Sequence, residues 1–503
     1  RSVLAMNPAA PARSFGALNW ALLGLYLASM IGIGYWFMKR EAASSTDAYF
    51  RGGQRVPAWV AGLSIFATTL SSLTFMGIPA RAFQTDMSWY IGQLPILFIV
   101  PLVVFFYLPF FRKLDVTSAY EFLENRFNMA CRLFGSFSFI LFHIGRIAIV
   151  LYLPAVALAA VSDISVDTAI LIIGVLCIIY TVMGGIEAVV WTDAIQAIVL
   201  MTGAVLCFFI ATSRVDGGFG GMMEIANQDS KLFQSVSLSD FSLSNGTTSF
   251  VVLFIAFFFN SLVPYTSSQD VVQRYVTTPD IKAAKKSLWI TMTLSIFGSL
   301  VFFGLGVAIY AFFKTNPEAM DPNLPSHDAI LPFFILKKLP TGISGLVIAA
   351  IFAASQSTIS SSLNSVATCW IKDVDQRLLR KGRSDQTYLK AAKWVVLIIG
   401  TLGVGAALWM AHAQIESAFK LFNTFIGLSA GSLGGLFALG VFTKRPGGTA
   451  ALIGAGTGFV GVLILHLSDT GISGLLYAVI GFALCFFTGW IIGLITPSNQ
   501  STN

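Results

Sequence analysis

The stretch that decides the fold lies inside the second long apolar run and reads Phe66-Ala67-Thr68-Thr69-Leu70-Ser71-Ser72-Leu73-Thr74. Hydroxyl side chains fill its middle, and such groups compete with the backbone for the hydrogen bonds of a helix. Gly77 and Pro79 follow within one and a half turns. The pattern predicts a helix that is broken near its centre.

A second run of similar character occupies residues 259–268, where Pro264 lies among Asn, Ser and Thr and removes one helical hydrogen bond. These are the second and seventh apolar runs of the chain, so they would cross a membrane in opposite directions. Corresponding helices of inverted repeats have this relation, and broken helices at matching positions indicate a binding site near the midplane. The alternative is that the small polar residues only allow close helix packing.

The rest of the chain has the composition of a membrane protein. Of its 503 residues 56% are hydrophobic and 11% are charged, whereas soluble domains carry roughly 25% charged residues. Runs of about 20 apolar residues, long enough to cross ~30 Å of hydrocarbon, recur along its length. They predict an all-α bundle of thirteen spans at residues 17–38, 57–83, 91–111, 131–161, 167–185, 188–213, 249–269, 287–313, 343–370, 389–411, 418–442, 449–467 and 471–496.

Positive charges predict the orientation. Most of the 31 Lys and Arg residues fall in loops on one side of this topology, including Arg274 and seven residues between Lys372 and Lys393. The positive-inside rule then places the N-terminus outside and the C-terminus on the cytoplasmic side. The expected location is a plasma (inner) membrane. The basic residues therefore indicate a lipid bilayer and not nucleic acid, and no obligatory protein partner is inferred. Residues 1–16 form a predicted tail, whose first five residues precede Met6 and resemble a cloning remnant.

The ninth span carries a polar stripe. Ser357, Ser360, Ser361 and Asn364 follow at helical spacing, so their oxygens share one face. Hydroxyl oxygens suit a small hard cation. The alternative is a serine-rich packing seam between helices.

Asp193 lies near the start of the sixth apolar run. An acid at the bilayer centre costs about 2.5 to 3.5 kcal/mol on insertion scales, so it needs a partner. A sodium ion held between Asp193 and the Ser357 stripe would provide one. The alternative is an acid that lies near enough to the interface to stay hydrated.

Arg146 lies midway along the fourth run, where its side chain cannot easily reach either interface. A buried guanidinium is paired with an acid, with carbonyls or with a bound anion, and its planar fork suits a carboxylate. The alternative is an internal salt bridge, with Asp193 as a candidate partner. His143, one turn earlier, is interpreted as a hydrogen-bonded core histidine.

Three features together resemble the sodium:solute symporter family: the broken second span, the Ser357 stripe and the segment Tyr180-Thr181-Val182-Met183-Gly184-Gly185-Ile186-Glu187-Ala188-Val189-Val190-Trp191-Thr192-Asp193. The resemblance covers nearly the whole chain. It implies a five-plus-five inverted-repeat core of the leucine-transporter type, with repeats at 57–213 and 249–442. One helix at 17–38 would precede this core, and two helices at 449–496 and a tail at 497–503 would follow it.

The resemblance also implies sodium ligands. A common site would use the carbonyls of Ala67, Leu70 and Ala354 with the hydroxyls of Ser357 and Thr358. A further site, found in some members, would use Asp193, Ser357, Ser360 and Ser361. The expected cofactors are two sodium ions.

For the substrate, the stretch around Arg146 resembles the bacterial sialic acid branch of this family, in which the arginine meets the sugar carboxylate. The implied contacts are Thr69, Ser71, Thr74 and Gln93, with Trp89 and Phe257 as apolar walls. For either aromatic the alternative is plain helix packing. From the seventh span, Asn260 is the candidate, because Ser261 stands where the family pattern places Asn.

These features predict a sodium-coupled symporter that imports a carboxylated sugar, sialic acid, by alternating access. Symport of a neutral sugar, an amino acid or a monocarboxylate is the nearest alternative. A channel or sensor could share the same bundle. No catalytic constellation is present, so an enzyme is not expected.

Overall fold

The computed structural model describes residues 15–40, 45–113, 116–159, 162–244, 249–321, 329–413, 430–468 and 470–496. Parts of the predicted tails and residues 418–429 of the eleventh predicted span lie outside this set.

In the described ranges the regular structure is helical, as predicted. The helices are α1 (Ala17–Arg40), α2 (Thr46–Arg51), α3 (Ala58–Thr69), α4 (Ser72–Gln84), α5 (Ser88–Lys113), α6 (Glu121–Arg126), α7 (Met129–Ala159), α8 (Val166–Ser213), α9 (Gly218–Gln228), α10 (Phe250–Ser267), α11 (Gln269–Thr277), α12 (Ile281–Thr315), α13 (Ile330–Lys338), α14 (Ile343–Leu379), α15 (Asp385–His412), α16 (Ser432–Phe442), α17 (Gly448–Leu467) and α18 (Gly474–Ile495).

Three of the long helices begin at side-chain caps. The hydroxyl of Ser165 accepts from the Thr168 N–H at the start of α8, and Ser249 caps α10 in the same way. The carboxylate of Asp280 accepts from the Ala283 N–H at the start of α12. Each cap satisfies a backbone donor that has no partner inside the helix, so the polar residues between the apolar runs fix where these helices start.

Ten of the described helices are long and apolar enough to cross a membrane, or eleven if α3 and α4 count as one bent span. The predicted number was thirteen. Part of the difference lies in α8, which runs through the fifth and sixth predicted spans and changes direction at Gly185 (φ 55°, ψ −159°) without a loop. A side chain there would come within 2.8 Å of the Tyr49 ring. The eleventh predicted span is described only as the short apolar helix α16.

Both predicted breaks are present, but one is displaced. Helices α3 and α4 are bent by 58°, and Leu70 (φ −98°, ψ 107°) and Ser71 between them are extended. Helix α10 continues through Pro264 to Ser267, and the extended residue is Ser268 (φ −92°, ψ 125°). The seventh run therefore breaks four residues after its proline.

The segments rich in Lys and Arg meet at one end of the bundle. The Thr46 hydroxyl donates to Asp385 at 3.2 Å, so the start of α2 lies beside the start of α15. Arg112 at the end of α5 donates to the Thr278 carbonyl at 3.1 Å, and Arg132 at the start of α7 lies 2.7 Å from Asp373 near the end of α14. The predicted topology placed these four segments on the same side, and the contacts agree with it.

Helix α14 forms the centre of the bundle. Every residue from 347 to 369 is buried, and the helix packs against α8, α7, α1 and α3. Its polar stripe therefore faces protein and not lipid. This arrangement puts the Ser357 hydroxyl beside the break between α3 and α4.

Candidate ion and substrate sites

The first cluster forms where α14 meets the end of α3. The last carbonyls of a helix have no partner within it, and the Ala67 carbonyl accepts from the Ser357 hydroxyl at 3.1 Å. The same hydroxyl lies 3.2 Å from the Ala354 carbonyl, and Thr358 donates to Ala354 at 3.3 Å. Leu70 lies at the adjacent break and is buried. Carbonyl oxygens of Ala67 and Ala354 and hydroxyls of Ser357 and Thr358 therefore lie together here, and such oxygens are the donors that a hard cation prefers.

The second cluster surrounds Asp193. Ser360 donates to its Oδ1 at 3.3 Å and Ser361 to its Oδ2 at 3.1 Å. Ser357 joins this cluster through its backbone, since its carbonyl accepts from the Ser360 hydroxyl at 3.3 Å. Asp193 has no exposed surface, so the alternative of an acid hydrated at the interface is wrong. A carboxylate with three serines beside it also fits a hard cation.

Two further hydroxyls, which the sequence analysis did not assign, reach Asp193 from α3. Ser64 donates to Oδ2 at 2.8 Å, and the Thr68 hydroxyl lies 3.5 Å from the same oxygen. Thr68 also lies 3.0 Å from the hydroxyl of Ser361. Ser64 and Thr68 are one turn apart on α3 and lie shortly before the break. This spacing could have identified them as candidates from the sequence.

Arg274 was counted with the loop charges, and that assignment is wrong. Its side chain is fully buried, and Nη2 lies 2.6 Å from Oδ2 of Asp193. Nη2 also donates to the Ser361 hydroxyl, while Nε donates to Ser64 at 2.6 Å and Nη1 donates to the Asp270 carbonyl. The signal in the sequence was the spacing of Asp270 and Arg274, an acid and a base one helical turn apart immediately after a broken span.

Arg146 lies at depth in α7, as predicted, but Asp193 is not its partner. Its Nη1 donates to Oδ2 of Asp270 at 3.0 Å and its Nη2 donates to the Thr68 carbonyl at 2.7 Å. About a tenth of the side chain, 12%, remains exposed. His143 is buried, and its Nδ1 lies 2.8 Å from the Ser362 hydroxyl, as expected for a core histidine. The arginine is therefore paired and mostly buried beside the first break, with a small part of its side chain exposed.

Five of the predicted substrate contacts fall into two groups. Thr69, Ser71 and Thr74 lie at the break, where the hydroxyls of Ser71 and Thr74 are 3.4 Å apart and Thr69 donates to the Phe66 carbonyl at 3.0 Å. Trp89 and Phe257 form an edge-to-face pair with centroids 5.7 Å apart.

The remaining predicted contacts are placed differently. Gln93 is half-buried at the start of α5, one turn after Trp89. The Asn260 amide donates to the Leu475 carbonyl at 2.7 Å and to the Ala256 carbonyl at 2.8 Å. Asn260 therefore holds α10 against the start of α18, and the structure does not bring it to Arg146.

Two curated relatives are similar to this chain over nearly its whole length. The chain is 43% identical over 492 residues to the sodium/sialic acid symporter NanT of Aliivibrio fischeri, covering 98% of this chain and 96% of that protein. It is 43% identical over 487 residues to the sodium/sialic acid symporter SiaT of Proteus mirabilis, with 97% of each chain covered.

A solved structure of a Na⁺-coupled sialic acid symporter, in a substrate-bound outward-open state with a novel Na⁺ site, superposes with a TM-score of 0.90. It is 42% identical and is matched over 97% of this chain and all of its own. The model of the sodium:solute symporter family matches residues 49–458. The chain therefore belongs to the sodium:solute symporter family.

Proposed function

We propose that this protein is a sodium-coupled symporter that imports sialic acid, a carboxylated sugar, by alternating access. The observation that carries the substrate class is Arg146, a partly exposed guanidinium in the middle of a spanning helix beside the α3–α4 break. Such a group binds an ionised carboxylate through two parallel hydrogen bonds. The relatives named above support the choice of sialic acid among carboxylated sugars.

The proposed substrate site extends from Arg146 along two directions. The hydroxyls of Thr69, Ser71 and Thr74 and the Gln93 amide would bind the hydroxyl groups of the sugar. The rings of Trp89 and Phe257 would cover its apolar face. Asn260 would contact the ligand only after it releases the Leu475 carbonyl, so it is the least favourably placed member of the set.

The proposed driving force is the sodium gradient, and we propose that two sodium ions are transported with each substrate molecule. Ala67, Leu70, Ala354, Ser357 and Thr358 would hold one ion, and Asp193, Ser357, Ser360 and Ser361 would hold the other. The fit of their oxygen donors, described above, supports both assignments. Because Ala67 lies at the end of α3, the first ion would stabilise one position of α3 against α14.

The proposed architecture is a five-plus-five inverted repeat with thirteen crossings, counting α8 as two. The two broken spans at corresponding positions of the repeats support it. The end of the bundle where the Lys- and Arg-rich segments meet would face the cytoplasm. The N-terminus would then lie outside the inner membrane and the C-terminus inside.

The test is uptake of radiolabelled N-acetylneuraminate into proteoliposomes. An inward sodium gradient should drive accumulation above the external concentration, and collapse of the gradient with a sodium ionophore should abolish it. A channel would only equilibrate the solute. Competition by unlabelled acid but not by a neutral sugar or an amino acid separates the proposed substrate from the alternatives, and uptake that is indifferent to sodium would contradict the proposal.

A further inference from the structure

Helix α11 carries an acid and a base one turn apart, and each is bound to a residue of a proposed ligand site. Asp270 is 2% exposed and lies 3.0 Å from Nη1 of Arg146. Arg274 is fully buried and lies 2.6 Å from Oδ2 of Asp193. Asp270 and Arg274 are side chains of the protein, and neither is among the residues proposed above to bind sodium or substrate.

Arg274 has the contacts of a cation at the Asp193 site. Its Nη2 touches Asp193 and Ser361, two of the four residues assigned to the additional sodium ion. The remaining guanidinium nitrogens are bound to Ser64 and to the Asp270 carbonyl. A sodium ion that binds Asp193 would meet a positive charge already in place, and two cations on one buried carboxylate repel each other.

Asp270 has the contacts of an anion at the substrate site. Its carboxylate accepts from Arg146, the group assigned to the carboxylate of the sugar. It also accepts from the Ser268 hydroxyl, and His143 Nε2 lies 3.9 Å away. A substrate carboxylate that engages Arg146 in a bidentate manner would have to displace Asp270.

The formal charges of the four groups cancel. Asp193 and Asp270 carry two negative charges, and Arg146 and Arg274 carry two positive charges. Breaking one buried ion pair leaves an uncompensated charge, which is strongly unfavourable. Sodium alone would leave Arg274 without its acid, and substrate alone would leave Asp270 without its arginine. Binding of both ligands together leaves one free acid and one free base on the same helix.

We propose that Asp270 and Arg274 are internal stand-ins for the substrate carboxylate and for sodium, and that joint binding releases them to pair with each other along α11. Residues four apart lie on the same helix face, and an acid that precedes a base by four positions is the favourable order. Nη1 of Arg274 already donates to the Asp270 carbonyl, so little movement is needed. This inference rests on the proposed function and explains why each ligand would raise the affinity for the other.

Thermodynamic linkage makes the proposal measurable, because the factor by which sodium tightens acid binding equals the factor by which the acid tightens sodium binding. The experiment is calorimetric titration of purified protein in lipid nanodiscs with N-acetylneuraminate, in sodium chloride and in choline chloride. The same titration with sodium is made with and without the acid. Neither measurement depends on transport.

The decisive variant is Asp270→Asn with Arg274→Gln, which removes both charges and leaves a neutral amide at each position. Both ligands should still bind, and the coupling factor should fall roughly ten-fold or more, as expected when charged hydrogen bonds are replaced. The matched control is Arg132→Gln with Asp373→Asn, a buried ion pair that touches neither Asp270 nor Arg274. This control should lose thermal stability and keep the coupling factor of the wild type.

Single variants keep the test valid if the double variant does not fold. Asp270→Asn should bind the acid about ten-fold more tightly in choline chloride, and Arg274→Gln should bind sodium more tightly without acid. Arg274→Lys keeps the charge but loses the planar fork, so its effect on sodium should be smaller. A wild-type coupling factor in the double variant, or equal weakening of acid binding by Asp270→Asn with and without sodium, would overturn the proposal. A wild-type protein that does not bind the acid in sodium would instead contradict the proposed function.

Discussion

Single residues show how burial turns a charge into a paired group. Arg146 and Asp193 were recognisable in the sequence because a charge inside an apolar run is rare and needs a partner. The partners were not recognisable, since Asp270 is 124 residues from Arg146 along the chain and Arg274 is 81 residues from Asp193. Only the tertiary structure, in which α11 packs against α3 and α14, brings them together. The identity of the charged residues was therefore predictable, and the pairing depended on tertiary structure.

Arg146→Ala should weaken binding of sialic acid roughly 10- to 150-fold, because a hydrogen bond to a charged group contributes about 1.5 to 3 kcal/mol. The uncharged amide of the sugar should lose little, and Arg146→Lys should recover only part of the affinity for the acid. The measurement is sodium-dependent binding of acid and amide, with folding checked by thermal melts. Equal losses for both ligands would show that Arg146 only holds Asp270 and the bundle in place.

Ser357→Ala should raise the sodium concentration needed for half-maximal uptake about ten-fold, because this hydroxyl lies at the meeting point of the Ala67 and Ala354 carbonyls. Ser355→Ala is the matched control, since its buried hydroxyl donates to Ile351 within its own helix. Unchanged sodium activation in a folded Ser357→Ala variant would remove this residue from the site.

Asp193→Asn should lower the Hill slope for sodium, since it removes the only charge among the residues assigned to the additional ion. It should also lower the free energy of unfolding by about 3 to 5 kcal/mol, because Arg274 stays buried without its acid. Asp373→Asn, with equal burial, should reproduce the loss of stability and keep the slope. A normal slope together with weakened binding of the acid would assign Asp193 to structure alone.

At the scale of helices, the sequence located one of the two helix breaks correctly and misplaced the other. Hydroxyl residues crowd the break of the second run, so composition located it. In the seventh run Pro264 was the strongest signal, yet α10 passes through it, because spanning helices tolerate a proline when neighbouring groups satisfy the freed carbonyl. The break lies at Ser268, where the apolar run gives way to the polar helix α11.

Helix α6 provides a prediction about pH, because Glu124 joins it to the ends of α7 and α14. Burial alone would raise the pKa of Glu124, but hydrogen bonds from Arg377 and Arg132 hold it below its usual range. A depressed pKa contributes stability above the ordinary pKa of glutamate, about 4.3, which is lost as the pH falls through the lower value.

Glu124→Gln should therefore lower the melting temperature at pH 7, and its difference from the wild type should shrink as the pH falls below about 4.3. Thermal melts of the two proteins across this range make the comparison. Glu318→Gln is the control, in a turn outside the spanning helices. A difference that persists unchanged in acid would mean that the charge of Glu124 contributes nothing.

At the scale of the whole molecule, the number of thirteen spans stays a prediction, since length and composition identify ten or eleven spanning helices among the described residues. A window of apolar residues cannot distinguish a loop from the sharp turn at Gly185, which joins two spans into α8. The grouping of the Lys- and Arg-rich segments at one end was predictable, because charge follows the membrane surface. The interior arrangement of α11 was not, since its polar sequence resembles that of a loop.

The complete burial of residues 347–369 in α14 has a consequence for how the protein responds to its bilayer. Helices at the periphery adapt to membranes of different thickness by tilting, at a cost of fractions of a kcal/mol per Å. The proposed ion ligands on α14 are buried within the bundle, so we expect this adaptation to reach them only through other helices. Reconstitution into short-chain or long-chain lipids should therefore shift the melting temperature and leave sodium affinity nearly constant. Bacteria that remodel their membrane lipids with temperature would then retain the same ion affinity.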